Sequence, residues 1–240
     1  MGTPLKIGII GGMGPEATVL LMQKIIKATM VKDDIDHIPM IVDNNPQIPS
    51  RINALIHGTG PSPAPVLARM ASNLEGNGAK AIVMPCNTAH HYASDITNAI
   101  SIPFLNMLDL CASALSHQVT KGEKIGILAS PATCKLGLYD KALSDVGLKA
   151  IYPEDQDAML KAIHLIKKNG PTAETTTIIS SAARELNQAG ASCSLVGCSE
   201  FSLVTEAITK EVVVLDGLDI LVGAIIAFAT PSDKSDMARP

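Results

Sequence analysis

The chain has 240 residues, of which 47% are hydrophobic and 18% charged, and its formal net charge is −4. That length allows one large domain or two of about 100–150 residues each, and nothing in the slightly negative charge suggests nucleic-acid binding. Trp is absent and aromatics make up only 2%, which removes the stacking platforms that single strands need and leaves the core to aliphatic side chains.

Strand and helix signals alternate along the chain. Residues 5–10 are an apolar run, Gly11-Gly12-Met13-Gly14 reads as a turn, and Pro15 suits the first helical position, where a missing N–H costs nothing. A second strand is expected at 38–42, closed by the turn cluster Asp43-Asn44-Asn45-Pro46. A helix follows near 64–74, then a strand at 81–84 leading to Cys86, and a short strand at 102–106. The series restarts with strands at 124–128, 148–152, 194–196 and 212–215, with helices between. This alternation specifies parallel sheets joined by right-handed crossovers.

The restart carries a second message. Lys6-Ile7-Gly8-Ile9-Ile10 is echoed 118 residues later by Lys124-Ile125-Gly126-Ile127-Leu128, and Cys86 is echoed 112 residues later by Cys198. Two features in the same order, at nearly one offset, point to a duplicated half. The expected fold is α/β: two pseudo-symmetric domains, each a parallel-rich sheet flanked by helices, with the active site in the cleft between them. The first domain is expected at 1–108 plus about 219–240, and the second at 109–218. Ligands of such sheets bind beyond the carboxyl ends of the strands, which gathers 11–16, 43–51, 86–90, 129–133 and 198–200.

Cys86 and Cys198 each end an apolar strand and precede polar residues that open a helical pattern. A free cysteine is most often a buried core residue. Backbone N–H groups at a helix start, however, lower a thiol pKa, and a matched pair in that setting reads as one acid/base group on each side of a substrate. Cys111, Cys134 and Cys193 lack the setting and read as structural. Five cysteines, an odd count at wide spacing, suit a reducing compartment. No signal-peptide layout precedes the first strand, and the apolar stretch 220–229 is too short to span a bilayer. A cytoplasmic protein without membrane or nucleic-acid partners is expected.

Two other patterns compete. Gly12-Met13-Gly14-Pro15-Glu16-Ala17 fits a dinucleotide fingerprint, with Asp33, Asp34 and Asp36 as ribose ligands. Those aspartates precede the second strand instead of ending it, and Pro15 removes a donor near the phosphate. Cys86 and His90, four apart beside His91, could share a helix face as metal ligands, but no second cluster completes a tetrahedral set. Asn44, Asn45 and Arg51 lie in a Pro-rich loop after a strand end, where a guanidinium offers a planar fork to a carboxylate. Lys167 and Lys168 read as a helix C-terminus, where Lys is favoured in any case.

Taken together, the chain resembles the cofactor-independent aspartate/glutamate racemase superfamily, in its aspartate racemase branch. The likeness is carried by Ile9-Ile10-Gly11-Gly12-Met13-Gly14-Pro15-Glu16-Ala17-Thr18, Asn44-Asn45-Pro46-Gln47-Ile48-Pro49-Ser50-Arg51, Met84-Pro85-Cys86-Asn87-Thr88-Ala89-His90 and Gly197-Cys198-Ser199-Glu200, and spans nearly the whole sequence. It implies racemisation of aspartate, with glutamate as the second candidate, without pyridoxal phosphate, metal or nucleotide, in a homodimer as in many members. Cys86 and Cys198 become the acid/base pair. Met13, Asn87, Thr88, Thr133 and Ser199 would line the substrate's amino and α-carboxylate groups. Arg51 would grip the distal carboxylate, with Asn45 also among the substrate-binding residues. A family lysine in a Lys-x-Gly spacing is better matched by Lys168 than by Lys167. Glu200 matches the acid of the aspartate branch, where glutamate racemases carry His. Phe201-Ser202 departs from the family's Leu-Pro. The alternatives are a relative such as a hydantoin racemase, maleate isomerase or decarboxylase, or a non-catalytic two-lobed amino-acid binding protein.

Overall fold

In the computed structural model, which describes residues 3–208 and 212–230, β1 (Ile7–Gly11) is buried along its whole length and lies between two parallel partners, β2 (Met40–Asn44) and β3 (Ala81–Val83). A continuous apolar run is what a strand covered on both faces requires. The covering helices of this half are α1 (Pro15–Ala28), with Pro15 in its first turn, α2 (Ala64–Gly76) and α3 (Ala93–Thr97), followed by α4 (Met107–Ser116). The second sheet has the order β5-β4-β6-β7 and is parallel throughout. Its strands are β4 (Lys124–Ala129), β5 (Lys149–Ile151), β6 (Ala191–Gly197) and β7 (Val214–Asp216). Its helices are α5 (Pro131–Lys135), α6 (Leu138–Asp145), α7 (Gln156–Asn169), α8 (Ala173–Gln188), α9 (Thr205–Ile208) and α10 (Gly217–Ala229).

The two sheets share one topology. In each, the first strand is central, the second lies on one side and the third on the other. The repeated Lys-Ile-Gly-Ile has a packing reason. A Cβ on Gly8 would come within 3.1 Å of the Leu74 Cβ on α2, and one on Gly126 within 2.9 Å of the Leu186 Cβ on α8. The glycine lets a helix lie close on each central strand.

The strand expected at 102–106 is not formed. Residues there make a single parallel bridge between Phe104 and Ile82. Pro103 has no N–H to extend a ladder; its carbonyl accepts from the Ile82 N–H at 2.8 Å, and the Leu105 N–H returns to the Ile82 carbonyl at 2.9 Å. Phe104 nevertheless lies beside β3 as β7 lies beside β6.

The helices that follow these two positions are capped alike. The Asn106 side chain accepts from the Leu108 N–H at 3.0 Å, and that of Asp216 from the Leu218 N–H at 2.9 Å. α4 and α10 pack on each other, and each crosses to the opposite half: α10 onto α1, α4 onto α6. Ile7, Leu21, Met107, Ile127, Leu143 and Leu221 share one buried cluster that runs through both halves. Each fully buried side chain of this size contributes about 1.5–3 kcal/mol, which fixes the halves relative to one another and so fixes the distance between groups that each half supplies. Of the tail assigned from sequence to the first domain, residues 231–240 lie outside the described residues. Among the described residues no helix is long and apolar enough to cross a membrane.

Candidate active site

β3 and β6 occupy the same place in their sheets, and each carries a cysteine just past its carboxyl end: Cys86 after Val83, Cys198 immediately after Gly197. Both thiols are 7% exposed. Each is followed by a short 3₁₀ segment, Thr88–Tyr92 and Phe201–Leu203 respectively, and not by a long helix. The lowering of thiol pKa expected from helix starts is therefore overruled. Burial pushes the Cys86 thiol up, against the charges of Arg51 and Lys167 and the Ala89 N–H, which pull it down. Cys198 is driven well up, first by burial and then by the Glu200 carboxylate. The short 3₁₀ segments leave only small partial charges to oppose desolvation.

Glu200 stands at the centre of the second-half motif. Its Oε2 accepts from the Cys198 thiol at 3.2 Å and from the Ser199 hydroxyl at 3.5 Å, while Oε1 lies 3.2 Å from Nζ of Lys167. The charges of Glu200 and Lys167 act on both thiols, so one ion pair is within electrostatic reach of both cysteines. Lys167, not Lys168, makes this contact. On α7 the buried positions are Met159, Ala162, Ile163 and Ile166. At about 100° per residue, Lys168 falls on the far, exposed side and Lys167 on the rim of the buried face.

The halves meet through hydroxyls. Thr88 Oγ1 is 2.9 Å from Ser130 Oγ and 3.0 Å from Thr133 Oγ1, and the last two are 3.0 Å apart. Ser130 is also the N-cap of α5, with the Thr133 N–H donating to it at 3.2 Å. Thr88 belongs to the Cys86 segment and Thr133 to the opening of α5, so two expected substrate-lining residues from different halves come together. Asn87 is buried, and its Oδ1 accepts from Tyr139 of the second half at 2.5 Å.

Met13 is buried in the turn after β1. The Asn45 Oδ1 accepts from the Gln47 N–H at 2.9 Å, which shapes the loop after β2, and its backbone lies so close to Gly12 that a Cβ there would overlap it at 2.3 Å. Arg51 is half-buried. Its Nη1 donates to the Pro49 carbonyl at 3.2 Å, and its charge reaches Cys86. The loop that contains it continues into a π-helical turn, Asn53–His57, which the sequence patterns do not signal.

The competing patterns find other uses. The Gly12 N–H donates to Thr18 Oγ1 at 3.0 Å, so it is not free to cradle a phosphate. Asp33 and Asp36 close a reciprocal cap on their own short turn ahead of β2. His90 is buried with both ring nitrogens engaged: Nε2 accepts from the Met107 N–H at 3.1 Å, which leaves Nδ1–H to donate to the Cys86 carbonyl at 2.9 Å. Burial drives its pKa down to about 4. His90 therefore ties the Cys86 segment to the start of α4 as a neutral imidazole and has no lone pair left for a metal. Among the described residues no group of three or more His, Cys, Asp or Glu side chains could hold a metal ion.

Two buried thiols, an adjoining carboxylate, two cations and a cluster of hydroxyl and amide donors make a site that could hold a small zwitterion with an extra carboxylate and move a proton at either side of it. Residues 10–225 match the Asp/Glu/hydantoin racemase family. The aspartate racemase of Picrophilus torridus superposes with a TM-score of 0.84 at 32% identity, over 94% of each chain. RacX of Bacillus subtilis, a broad specificity amino-acid racemase, is 26% identical over 215 residues, 88% of this chain and 92% of its own. A glutamate racemase of Pediococcus pentosaceus is 31% identical over 147 residues, 60% of this chain and 54% of its own.

Proposed function

The chain belongs to the Asp/Glu/hydantoin racemase family, and from that premise we propose that it interconverts L- and D-aspartate by proton transfer between two cysteines, without a cofactor. The observation that carries this reading is the placement of Cys86 and Cys198 just past the carboxyl ends of topologically matched strands, both buried and both in the field of the Glu200–Lys167 pair. One thiolate removes the Cα proton, and the opposite thiol delivers a proton to the other face. The roles exchange for the other enantiomer. An α-proton is weakly acidic, so the developing negative charge on the α-carboxylate needs fixed donors. Thr88, Thr133, Asn87 and Ser199 supply them. Each positioned acid or base typically contributes about 10²–10⁴-fold.

The acidic side chain is the part of the substrate that Arg51 and Lys167 select. The likeness to the Picrophilus torridus aspartate racemase supports aspartate, and the likeness to RacX supports a second reading in which the pocket also accepts other amino acids. The test is to incubate purified protein with single enantiomers of aspartate, glutamate and several neutral amino acids under reducing conditions, with and without chelator. Aspartate should approach a 1:1 mixture from either side, unaffected by chelator. No conversion of any acidic amino acid would overturn the proposal.

A further inference from the structure

Tyr139 touches both cysteine segments. It lies on α6 and is fully buried. Its hydroxyl donates to Oδ1 of Asn87, the residue after Cys86, at 2.5 Å. Its ring lies against Gly197, the residue before Cys198, so closely that a Cβ there would stand 2.8 Å from Cε2. The hydroxyl also lies 4.0 Å from Cys111 Sγ on α4 and would lie 3.8 Å from a Cβ on Gly217, the first residue of α10. The hydroxyl thus sits beside the two helices that cross between the halves, and the side chain reaches from them to both cysteine segments.

We propose that Tyr139 is a positioning residue, a strut between the Asn87 side chain and the Gly197 backbone that sets the separation of Cys86 and Cys198. The inference rests on the two-cysteine reading above. Its physical basis is that inversion needs the second thiol at bonding distance from the opposite face of Cα at the moment the first has taken the proton. A slack pair still removes a proton, but returns one to the same face more often. The hydroxyl has a second effect: by donating to Oδ1 of Asn87 it leaves the amide NH₂ as the group turned to a ligand.

Tyr139→Phe keeps the ring and removes only the hydroxyl. In D₂O, early in the reaction, the deuterium found in the remaining L-aspartate reports removal and return on one face, and deuterated D-aspartate reports inversion. The ratio of the first to the second should rise about 2–10-fold, the range expected for one lost neutral hydrogen bond. A tyrosine that merely fills the core would lower thermal stability and both rates together, leaving the ratio unchanged, and that result would overturn the proposal. Asn87→Ala removes the other end of the same bond and should raise the ratio similarly. Adding Tyr139→Phe to Asn87→Ala should then raise it no further, and an equal second rise would show that the hydroxyl does not act through Asn87. Wild-type protein that racemises nothing overturns the parent reading, and the strut with it. Wild-type protein that racemises beside a Tyr139→Phe variant of unchanged ratio overturns the strut alone.

Discussion

The Cys198 thiol donates to the Glu200 carboxylate at 3.2 Å, in a site where both residues are buried. A carboxylate that accepts from a thiol opposes its ionisation twice, by bonding to the protonated form and by repelling the thiolate. Cys86 makes no such bond to Glu200, and Arg51 acts on it in the opposite sense. The pair is therefore symmetric in backbone and unequal in charge. Both thiols are shifted up by burial, and only Cys198 also donates a hydrogen bond to the Glu200 carboxylate.

Glu200→Gln removes the charge and keeps the shape. Burial, the larger cause, stays, so Cys198 should become more acidic without reaching the range of an exposed thiol. Alkylation by iodoacetamide, read peptide by peptide by mass spectrometry across pH, should show the Cys198 midpoint at lower pH in the variant. An unmoved or raised midpoint would mean that Glu200 does not hold that proton.

Arg51 and Lys167 are the cations whose charges reach Cys86, and Lys168 points away on the far side of α7. Loss of a charge-assisted hydrogen bond to a buried anion costs about 1.5–3 kcal/mol, roughly 10–150-fold in kcat/KM. Arg51→Ala and Lys167→Ala should each fall in that range with aspartate. Lys168→Ala should stay within about twofold, a margin well under 1 kcal/mol by the same arithmetic. Steady-state kinetics on the three variants separates them, and a large loss from Lys168→Ala with none from Lys167→Ala would reverse the assignment.

His90 gives the fold a dependence on acid. Its folded pKa, lowered to about 4 by burial, lies below the ordinary 6.5, so below neutrality the unfolded chain binds the proton more readily. Stability from this residue is full above about pH 6.5, falls as pH drops towards about 4, and levels off beneath. The gap corresponds to about 3 kcal/mol. Urea unfolding at several pH values should show the decline, and His90→Gln should flatten it in that window. An equal slope in the variant would assign the decline to other groups.

Much of the fold was legible because its signals are local. Continuous apolar runs mark strands covered on both faces, and Pro15 marks a helix start. The repeated Lys-Ile-Gly-Ile marks two central strands, each of which needs a glycine for the same packing reason. The strand expected at 102–106 shrinks to one bridge because hydrophobicity alone does not register that Pro103 cannot donate. A further echo was available: Leu105-Asn106-Met107-Leu108-Asp109 and Leu215-Asp216-Gly217-Leu218-Asp219 are the two capped helix starts that follow the last strand positions.

At the site, the Cys86 and Cys198 segments announce themselves by polar residues after apolar runs. Lys167 was within reach of a helical wheel, since Met159, Ile163 and Ile166 place Lys168 on the solvent side, whereas the Lys-x-Gly spacing alone favours Lys168. Ser130 was legible as an N-cap before Pro131. Tyr139 was not, because its contacts to Asn87 and Gly197 are long-range and nothing in the residues around it names either partner. Both thiols shift opposite to the direction expected from helix starts, since sequence shows the neighbours of a thiol but not its burial.

The most direct test of the two-thiol account is deuterium uptake by single-cysteine variants. Cys86→Ala and Cys198→Ala, each incubated in D₂O with L-aspartate and with D-aspartate, should fail to invert Cα. Where slow labelling occurs, each should label one enantiomer with retained configuration, and the two variants should label opposite enantiomers. Inversion at near wild-type rate by either variant would contradict the account, because the missing thiol would then neither take the first proton nor deliver the second.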